Sequence, residues 1–283
     1  MIVLLGVLAV LLAVVATMCL VAGVAIVGTD ELRRLRRDAL PRVREAQSQV
    51  GALLVVVVAS GTLRGSLQTV SELYGWELTP FILAFEGPIV AWIQSTLASP
   101  VATLYFSATY IYGYVFLLVF PFILYGLLPE SAPLKRLLTA YALNYGLGLV
   151  LYTLVFAYGP RNVMPDLVKP LLFTFNPEFM ELAAHVNENT NVFPSLHTSL
   201  SVTVAAFAWR TREAYPAWTA LATWLAASVM LATMYLAIHW LVDVIAGTVF
   251  GLGCVALAIR LLPEPSEEGP DRDGASVVAS GDD

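Results

Sequence analysis

The chain contains 283 residues, of which 58% are hydrophobic and only 13% are charged. Soluble domains usually carry about 25% charged residues, so this composition excludes an ordinary soluble protein and indicates an integral membrane protein. The formal net charge of −6 partly reflects an acidic C-terminal tail, and no patch of mixed basic and aromatic residues suggests a nucleic-acid partner.

An uninterrupted apolar run opens the chain and predicts a transmembrane anchor over residues 1–28. A bilayer core of about 30 Å needs roughly 20 apolar residues in a helix, and this run is longer than the apolar core of a signal peptide. Residues 29–50 follow with six arginines. This segment is predicted to be amphipathic and to lie on the cytoplasmic surface of the membrane.

Five further apolar runs predict membrane-spanning helices, over residues 101–128, 137–159, 195–211, 216–237 and 239–262. The region 51–100 is ambiguous, because a short apolar run ending at Leu63 is followed by Arg64, Glu72, Glu77 and Glu86. Hydropathy alone leaves this region as a re-entrant or interfacial segment.

The positive charges of the later loops help to resolve this region. These charges are Lys135, Arg136, Arg210, Arg212 and Arg260. They lie on the same side of the membrane as the arginine-rich segment only if residues 51–100 cross the membrane an odd number of times. One crossing over about 51–72 is therefore predicted. The fold class is then all-α, a polytopic transmembrane bundle of six to seven spans, with residues 51–262 as the main domain.

This topology also assigns the two sides of the cell membrane. The loop 160–194 and the turn 237–239 are predicted to face outside, whereas the tail over residues 263–283 is predicted to be cytoplasmic. That tail is acidic and rich in Gly, Pro and Ser, a composition typical of disordered segments.

The first candidate motif is Pro194-Ser195-Leu196-His197, at the start of an apolar run. Ser195 is predicted to cap a helix, whose first N–H groups and positive dipole end form an anion site. His197, in the first turn, is suited to donating to a phosphate oxygen or protonating a leaving group. The alternative is a helix cap that carries an interfacial histidine without a chemical role.

The second motif pairs His239 with Asp243, four residues further along the chain. That spacing places both side chains on one face of a helix, where the carboxylate can orient the imidazole and leave its other nitrogen to attack phosphorus. Ionisable groups in membrane-length runs are costly and usually functional. The alternative is a buried pair that only holds helices together. Gly247 and Gly251 are predicted to let a neighbouring helix approach closely.

Together the two motifs resemble those of the type 2 phosphatidic acid phosphatase superfamily, which includes the vanadium haloperoxidases. The family pattern has a Lys/Arg element at one helix end, Pro-Ser-x-His opening the next helix, and a later Ser-Arg…His-x-x-x-Asp element. The second and third elements occur here in that order, and the resemblance covers about residues 100–262. It implies a phosphatidic acid phosphatase type 2-like core.

The resemblance also implies a mechanism for the matched positions. His239 is the implied nucleophile and forms a phosphohistidine, Asp243 orients it, and His197 protonates the leaving oxygen. No metal ion or other cofactor is required.

Two departures from the family pattern affect phosphate binding. Thr233 stands where many members have arginine, and the first element, in which six residues separate Lys from Arg-Pro, is absent in that form. Arg161, which follows a predicted span, is the main candidate for the phosphate clamp, and Lys169 is the second. Stabilisation of the oxyanion then depends on Arg161 and on the helix start at Ser195.

At these positions the sequence resembles the inositol phosphorylceramide synthase group, whose members move a phospho-head-group between lipids. The similar positions are the Thr-Met-Tyr-Leu string at 233–236, Trp240, and Leu196 within Pro-Ser-Leu-His. The implied substrate is a lipid phosphate or phospholipid, and transfer needs an alcohol acceptor. Lipid phosphatase and phosphotransferase both stay open at this point.

Two other classes of function are compatible with the sequence. His197 and His239 could be the axial ligands of a haem in a redox protein, although both are predicted at helix ends. A non-catalytic membrane scaffold or transporter is the other alternative, and Thr233 is the best argument for it.

His185 is read either as a solvated loop residue or as part of the site mouth. An aromatic cluster is read as packing or as the lining of a substrate groove; it comprises Tyr105, Phe106, Tyr110, Tyr112, Tyr114 and Phe116.

Overall fold

The structure is a computed structural model that describes residues 2–172 and 191–263. His185 and nearly all of the predicted acidic tail lie outside the described residues. The described chain is almost entirely helical, and this confirms the predicted all-α membrane fold. Its elements are α1 (Ile2–Ala22), α2 (Thr29–Glu45), α3 (Gln47–Tyr74), β1 (Trp76–Glu77), α4 (Thr79–Glu86), α5 (Ile89–Leu97), α6 (Pro100–Ala108), α7 (Tyr114–Leu127), α8 (Ala132–Leu154), β2 (Val155–Phe156), α9 (Pro160–Val163), α10 (Leu196–Arg210), α11 (Pro216–Tyr235) and α12 (Leu241–Leu261).

Six helical stretches of the described chain are long and apolar enough to cross a membrane, and they make it a multi-pass membrane protein. They are Leu5–Val27, Gln47–Tyr74, Pro100–Leu127, Ala132–Leu154, Pro216–Tyr235 and Leu241–Leu261. Two of these stretches contain a π-helical turn, at Gly23–Val27 and Thr109–Gly113. The span predicted at 195–211 corresponds to α10, which has only 15 residues and is shorter than the other six.

The ambiguous region 51–100 contains one long helix followed by two short ones. Helix α3 has 28 residues and meets the length and hydropathy of a span, while α4 and α5 have eight and nine residues. Between them, β1 pairs in parallel with β2, with Trp76 opposite Val155 and Glu77 opposite Phe156. This pairing places the end of α3 beside the end of α8.

Helix α8 differs from the span predicted at 137–159. It begins at Ala132, because Pro133 is well suited to the first turn of a helix. It ends at Leu154, because the next two residues are extended and pair with β1.

The core of the bundle surrounds α10, which packs against α8, α11 and α12. Large side chains such as Trp218, Phe120 and Phe207 are fully or almost fully buried there. The C-terminal end of α8 lies beside the start of α10, because Tyr152 donates to the carbonyl of Pro194 at 2.9 Å, and α11 leads through a short turn into α12. Hydrogen bonds join these ends, including one from the N–H of Ser195 to the carbonyl of Asp243 at 3.1 Å.

Two glycines of α12 bring it against α10, as their spacing predicts. A methyl group at Gly247 would collide with the backbone carbonyl of Ser195, and one at Gly251 with that of Ser199. This close approach fixes the start of α12 relative to the start of α10.

Basic residues gather at the opposite end of the bundle. Arg42 of α2 donates to the carbonyl of Pro129, in the turn before α8, at 2.7 Å. Arg136, near the start of α8, donates to the carbonyl of Leu262 at 2.8 Å. The two ends of the bundle therefore differ: one carries the histidine motifs and the other carries arginines.

Candidate active site

His239 lies in the short turn that joins α11 to α12. The N–H groups of Ile238 and His239 both donate to the carbonyl of Thr233, at 2.9 and 3.1 Å. The turn requires a positive φ of 56° at Ala237, a conformation that is uncommon for residues other than glycine. These constraints leave the His239 side chain 4% exposed at the end of the bundle.

Asp243 lies in the first turn of α12, whereas His239 precedes that helix. The two side chains are therefore not on one helix face, which their four-residue spacing predicted, although they lie close together. Oδ2 of Asp243 is 3.4 Å from Nδ1 of His239 and accepts a hydrogen bond from the N–H of Trp240 at 2.8 Å. The side chain is fully buried, and its Oδ1 has no hydrogen-bond partner among the described residues. The carboxylate thus both caps α12 and faces the imidazole.

Burial lowers the pKa of His239, and the nearby positive charge of Arg161 lowers it further, while a hydrogen bond with the backbone of Val192 opposes the shift. The imidazole is therefore neutral at physiological pH. A neutral imidazole has the lone pair that a nucleophile needs.

His197 lies in the first turn of α10, next to His239. Its ring packs against the rings of Tyr110 and Tyr114, with centroids 4.8 and 4.7 Å away, and its centroid is 5.9 Å from that of His239. The structure therefore brings the two motifs together. Within the aromatic cluster, Tyr110 and Tyr114 contact His197. Phe116 has a different role, because it packs against Trp218 in the core.

Ser195 caps α10, as the sequence predicts. Its hydroxyl oxygen accepts from the N–H of Thr198 at 3.2 Å, and its own N–H donates to the carbonyl of Asp243. The side chain is fully buried. Ser195 thus lies in the site with its hydroxyl and amide already engaged, and its contact with phosphate stays a prediction.

The two candidate cations occupy different positions. Arg161 lies in α9, where its N–H donates to the carbonyl of Ala237 at 3.2 Å, and its charge reaches His239. Partial burial lowers its pKa, although an arginine stays charged. Lys169 has an exposed side chain and a backbone hydrogen-bonded to Gln94. Among the described residues, no contact joins its ammonium group to the histidine pair.

Thr233 occupies the position where many family members have arginine. Its side chain is fully buried and donates to the carbonyl of Met230 at 2.8 Å, and its own carbonyl accepts the two hydrogen bonds of the His239 turn. This residue therefore contributes to the shape of the turn and supplies no positive charge.

Glu86, at the end of α4, is a site residue that the sequence analysis read only as an interruption of an apolar segment. The residue is 4% exposed, and its carboxylate accepts hydrogen bonds from the N–H groups of Leu241 and Val242, at 2.8 and 3.0 Å. Burial raises the pKa of Glu86, the two hydrogen bonds oppose this, and nearby Asp243 adds to it. A carboxylate within an apolar segment was the sequence feature that could have indicated a site residue. Its hydrogen-bond partners are distant in the sequence, so the neighbouring residues do not reveal them.

No group of three or more His, Cys, Asp or Glu side chains within the described ranges is arranged to hold a metal ion.

Comparison with known proteins identifies the family. A sequence model of the PAP2 superfamily matches residues 81–257, a segment that includes both histidine motifs. Searches of curated proteins and of solved structures gave no match. Because the matched segment covers more than half of the chain and contains the paired histidines, the chain belongs to the PAP2 superfamily.

Proposed function

We propose that this protein is an integral membrane enzyme that hydrolyses or transfers the phosphoryl or phospho-head-group of a lipid phosphate. Membership of the PAP2 superfamily indicates a membrane enzyme of phosphatase type that acts on phosphate esters. The observation that carries the finer proposal is the pairing of His239 with His197 at a ring distance of 5.9 Å, with Asp243 behind His239.

In the first half of the reaction, the neutral imidazole of His239 attacks phosphorus and the bond from phosphorus to the leaving oxygen breaks. Burial, with the nearby charges of His239 and Arg64, lowers the pKa of His197, so we propose that His197 takes up its proton when the phosphate anion binds beside it. It then gives that proton to the leaving oxygen. Asp243 stabilises the positive charge that develops on the phosphorylated imidazole. The product of this half is a phosphohistidine and a free alcohol.

In the second half, water or an alcohol attacks the phosphohistidine, and the bond from phosphorus to His239 breaks. His197, now neutral, accepts the proton of the attacking oxygen, and the enzyme returns to its starting state. Water yields free phosphate, whereas an alcohol yields a new phosphate ester or diester. The two activities therefore share every step except the choice of acceptor.

Arg161 is the proposed phosphate clamp, because its charge is close enough to act on His239. Preorganised positive groups stabilise the charge that develops on the phosphoryl oxygens. The helix start at Ser195 is the second proposed contribution, through its backbone and the positive end of the α10 dipole. Lys169 is the weaker candidate, because its exposed ammonium group would have to reach the site.

The local similarity to inositol phosphorylceramide synthases supports the transferase alternative. Trp240 donates from Nε1 to the carbonyl of Tyr158 at 2.8 Å and so ties the start of α12 to the segment that carries Arg161. The tryptophan would have this structural role in a phosphatase as well as in a transferase. It does not distinguish the two activities, and an assay with an added acceptor does.

We also propose that the site faces the outside of the cell membrane. The arginines of α2 and the start of α8 lie at the end of the bundle opposite the histidines, and basic residues favour the cytoplasmic side. In this orientation residues 1–28 anchor the chain, residues 29–50 lie on the inner surface, and the acidic tail is cytoplasmic.

The decisive experiment is phosphate release by the detergent-purified protein from polyprenyl, diacylglycerol and diether lipid phosphates, with His239→Ala as the control. Release that is lost in the variant supports the phosphatase. If no lipid phosphate is hydrolysed, a labelled phospholipid with an added alcohol acceptor tests transfer. Inactivity in both assays would support a scaffold or transporter, and a Soret band in the absorbance spectrum would support the haem alternative.

A further inference from the structure

A groove between α3 and α8 opens beside the reaction centre. Its lining residues are Arg64, Leu67 and Gln68 of α3, Leu149 and Tyr152 of α8, and Asn191. The three residues of α3 follow the spacing that places side chains on one helix face. Since α3 begins before residue 81, this groove is formed partly outside the segment that matches the PAP2 superfamily.

Arg64 is the charged residue of this lining. It lies within a helix that meets the length and hydropathy of a membrane span, and its side chain is exposed. A charged side chain inside a span is costly and usually marks a functional site. The planar guanidinium is also the side-chain group best matched to two oxygens of a phosphate.

The groove lies at the depth of the reaction centre. Tyr152, which forms one wall, donates from its hydroxyl to the carbonyl of Pro194 at 2.9 Å, directly before the cap of α10. Arg64 is close enough for its charge to act on both Tyr152 and His197. An anion held by Arg64 would therefore lie on the side of the site that Pro194 and the start of α10 form, within electrostatic range of His197.

The other polar groups make the groove a rigid, mixed surface. Asn191 donates to the carbonyls of Tyr152 and Val155 and accepts from the N–H groups of Ala157 and Phe193, so it acts as a wall. Gln68 donates to Glu72 at 2.9 Å, and its carbonyl oxygen is an acceptor suited to a hydroxyl group.

The surface that continues from the groove along α3 is apolar. Val57, seven residues before Arg64, lies on the same face of α3 and is 41% exposed. Leu54, about one turn further from Arg64, is 60% exposed. A ligand with an anionic head at Arg64 and a hydrocarbon chain along α3 would match both parts of this surface.

We propose that the groove between α3 and α8 binds the phosphate-bearing head group of an anionic lipid, with Arg64 as the main contact. The role of this site in delivering substrate to His239 rests on the proposed function, but the binding itself does not. The ligand class is an anionic phospholipid or lipid phosphate rather than a zwitterionic lipid, because the zwitterion would bring a second, positive charge to the arginine.

Binding can be tested without turnover in the full-length His239→Ala protein, using a fluorescent phosphatidic acid in mixed micelles and fluorescent phosphatidylcholine as the neutral comparison. Adding Arg64→Gln should weaken binding of phosphatidic acid by about tenfold or more, the usual effect of losing a charge-assisted contact. Binding of phosphatidylcholine should change little.

The matched control is Arg210→Gln, which removes an exposed arginine at the opposite end of α10 and should leave binding unchanged. Unaltered affinity in Arg64→Gln, or an equal loss in Arg210→Gln, would overturn the proposal. Both variants should elute from a sizing column like the parent protein. Arg64→Lys should restore part of the affinity.

In the active protein, Arg64→Gln should raise KM for the lipid phosphate and leave kcat close to that of the parent. If the parent hydrolyses and transfers nothing while phosphatidic acid binding still depends on Arg64, the proposed function fails and the site stands. If the parent is active and the Arg64 variant binds normally, the site fails and the proposed function stands.

Discussion

The carboxylate of Glu86 accepts a hydrogen bond from the backbone N–H of Leu241 at 2.8 Å. With a second bond from the neighbouring N–H, it caps the helix that begins directly after the His239 turn. Free N–H groups at a helix start are otherwise a binding site for anions. Glu86 therefore closes the start of α12 to phosphate and holds the position of Asp243.

Replacing Glu86 with glutamine should destabilise the protein and slow the reaction. An amide nitrogen would face one of the two N–H donors, and leaving one donor unpaired costs about 1–3 kcal/mol. We expect a lower melting temperature in detergent and a lower kcat. Glu77→Gln is the control, because Glu77 is exposed in β1. Parental stability and rate in Glu86→Gln would refute a positioning role.

Replacing Asp243 with asparagine should separate its two contacts. The amide oxygen can still accept from the N–H of Trp240, which caps α12, but the charge that stabilises an imidazolium is lost. We expect a fall in kcat of about two to four orders of magnitude, as for the aspartate of catalytic triads, with a small change in melting temperature.

The control for this charge is Asp166→Asn, which changes an exposed loop carboxylate. Single-turnover trapping of the phosphorylated enzyme should show slower formation of phosphohistidine in the Asp243 variant only. An unchanged rate of formation would mean that Asp243 only holds helices together.

The ring of Tyr114 packs against His197 at a centroid distance of 4.7 Å. Tyr114→Ala should free the imidazole to leave its position and lower kcat by about tenfold, because small misplacements of a reacting group are costly. Tyr114→Phe keeps the ring and should retain most of the activity. Equal kcat values for the two variants would show that the packing does not position His197.

Gly247 is predicted to tolerate no side chain. An added methyl group would meet the carbonyl of Ser195, a backbone atom that cannot move without shifting the start of α10. Gly247→Ala should cost about 1–3 kcal/mol of stability, as for overpacking in cores. Gly253→Ala is a matched control in the same helix, since nothing lies within 4 Å of its added methyl group. Similar melting temperatures for the two variants would contradict this.

The local motifs were the most predictable part of the site. The closeness of His239 and Asp243 follows from their four-residue spacing, although His239 lies in the turn before α12 and not on the helix. Ser195 caps a helix that starts immediately after it. The approach of His197 to His239, whose ring centroids are 5.9 Å apart, could be expected only from the resemblance to a family. The residue pattern by itself did not predict it.

Long-range partners were not predictable in the same way. Glu86 lies 155 residues before the N–H of Leu241, so a single sequence shows a carboxylate that interrupts an apolar segment and nothing of what it binds. Similarly, α8 ends at Leu154 because Val155 pairs with Trp76, whereas the apolar pattern continues to about residue 159. Burial and pairing set these boundaries, and both depend on distant segments.

The short ladder between β1 and β2 has a consequence for how this protein can diversify. It fastens α3, which precedes the matched family segment, to α8, which belongs to that segment. The histidines and the aspartate themselves all lie within the shared segment. If the groove at Arg64 binds the lipid head group as proposed, changes along α3 would alter lipid selectivity and leave the histidines and the aspartate in place, so selectivity and reactivity could evolve separately.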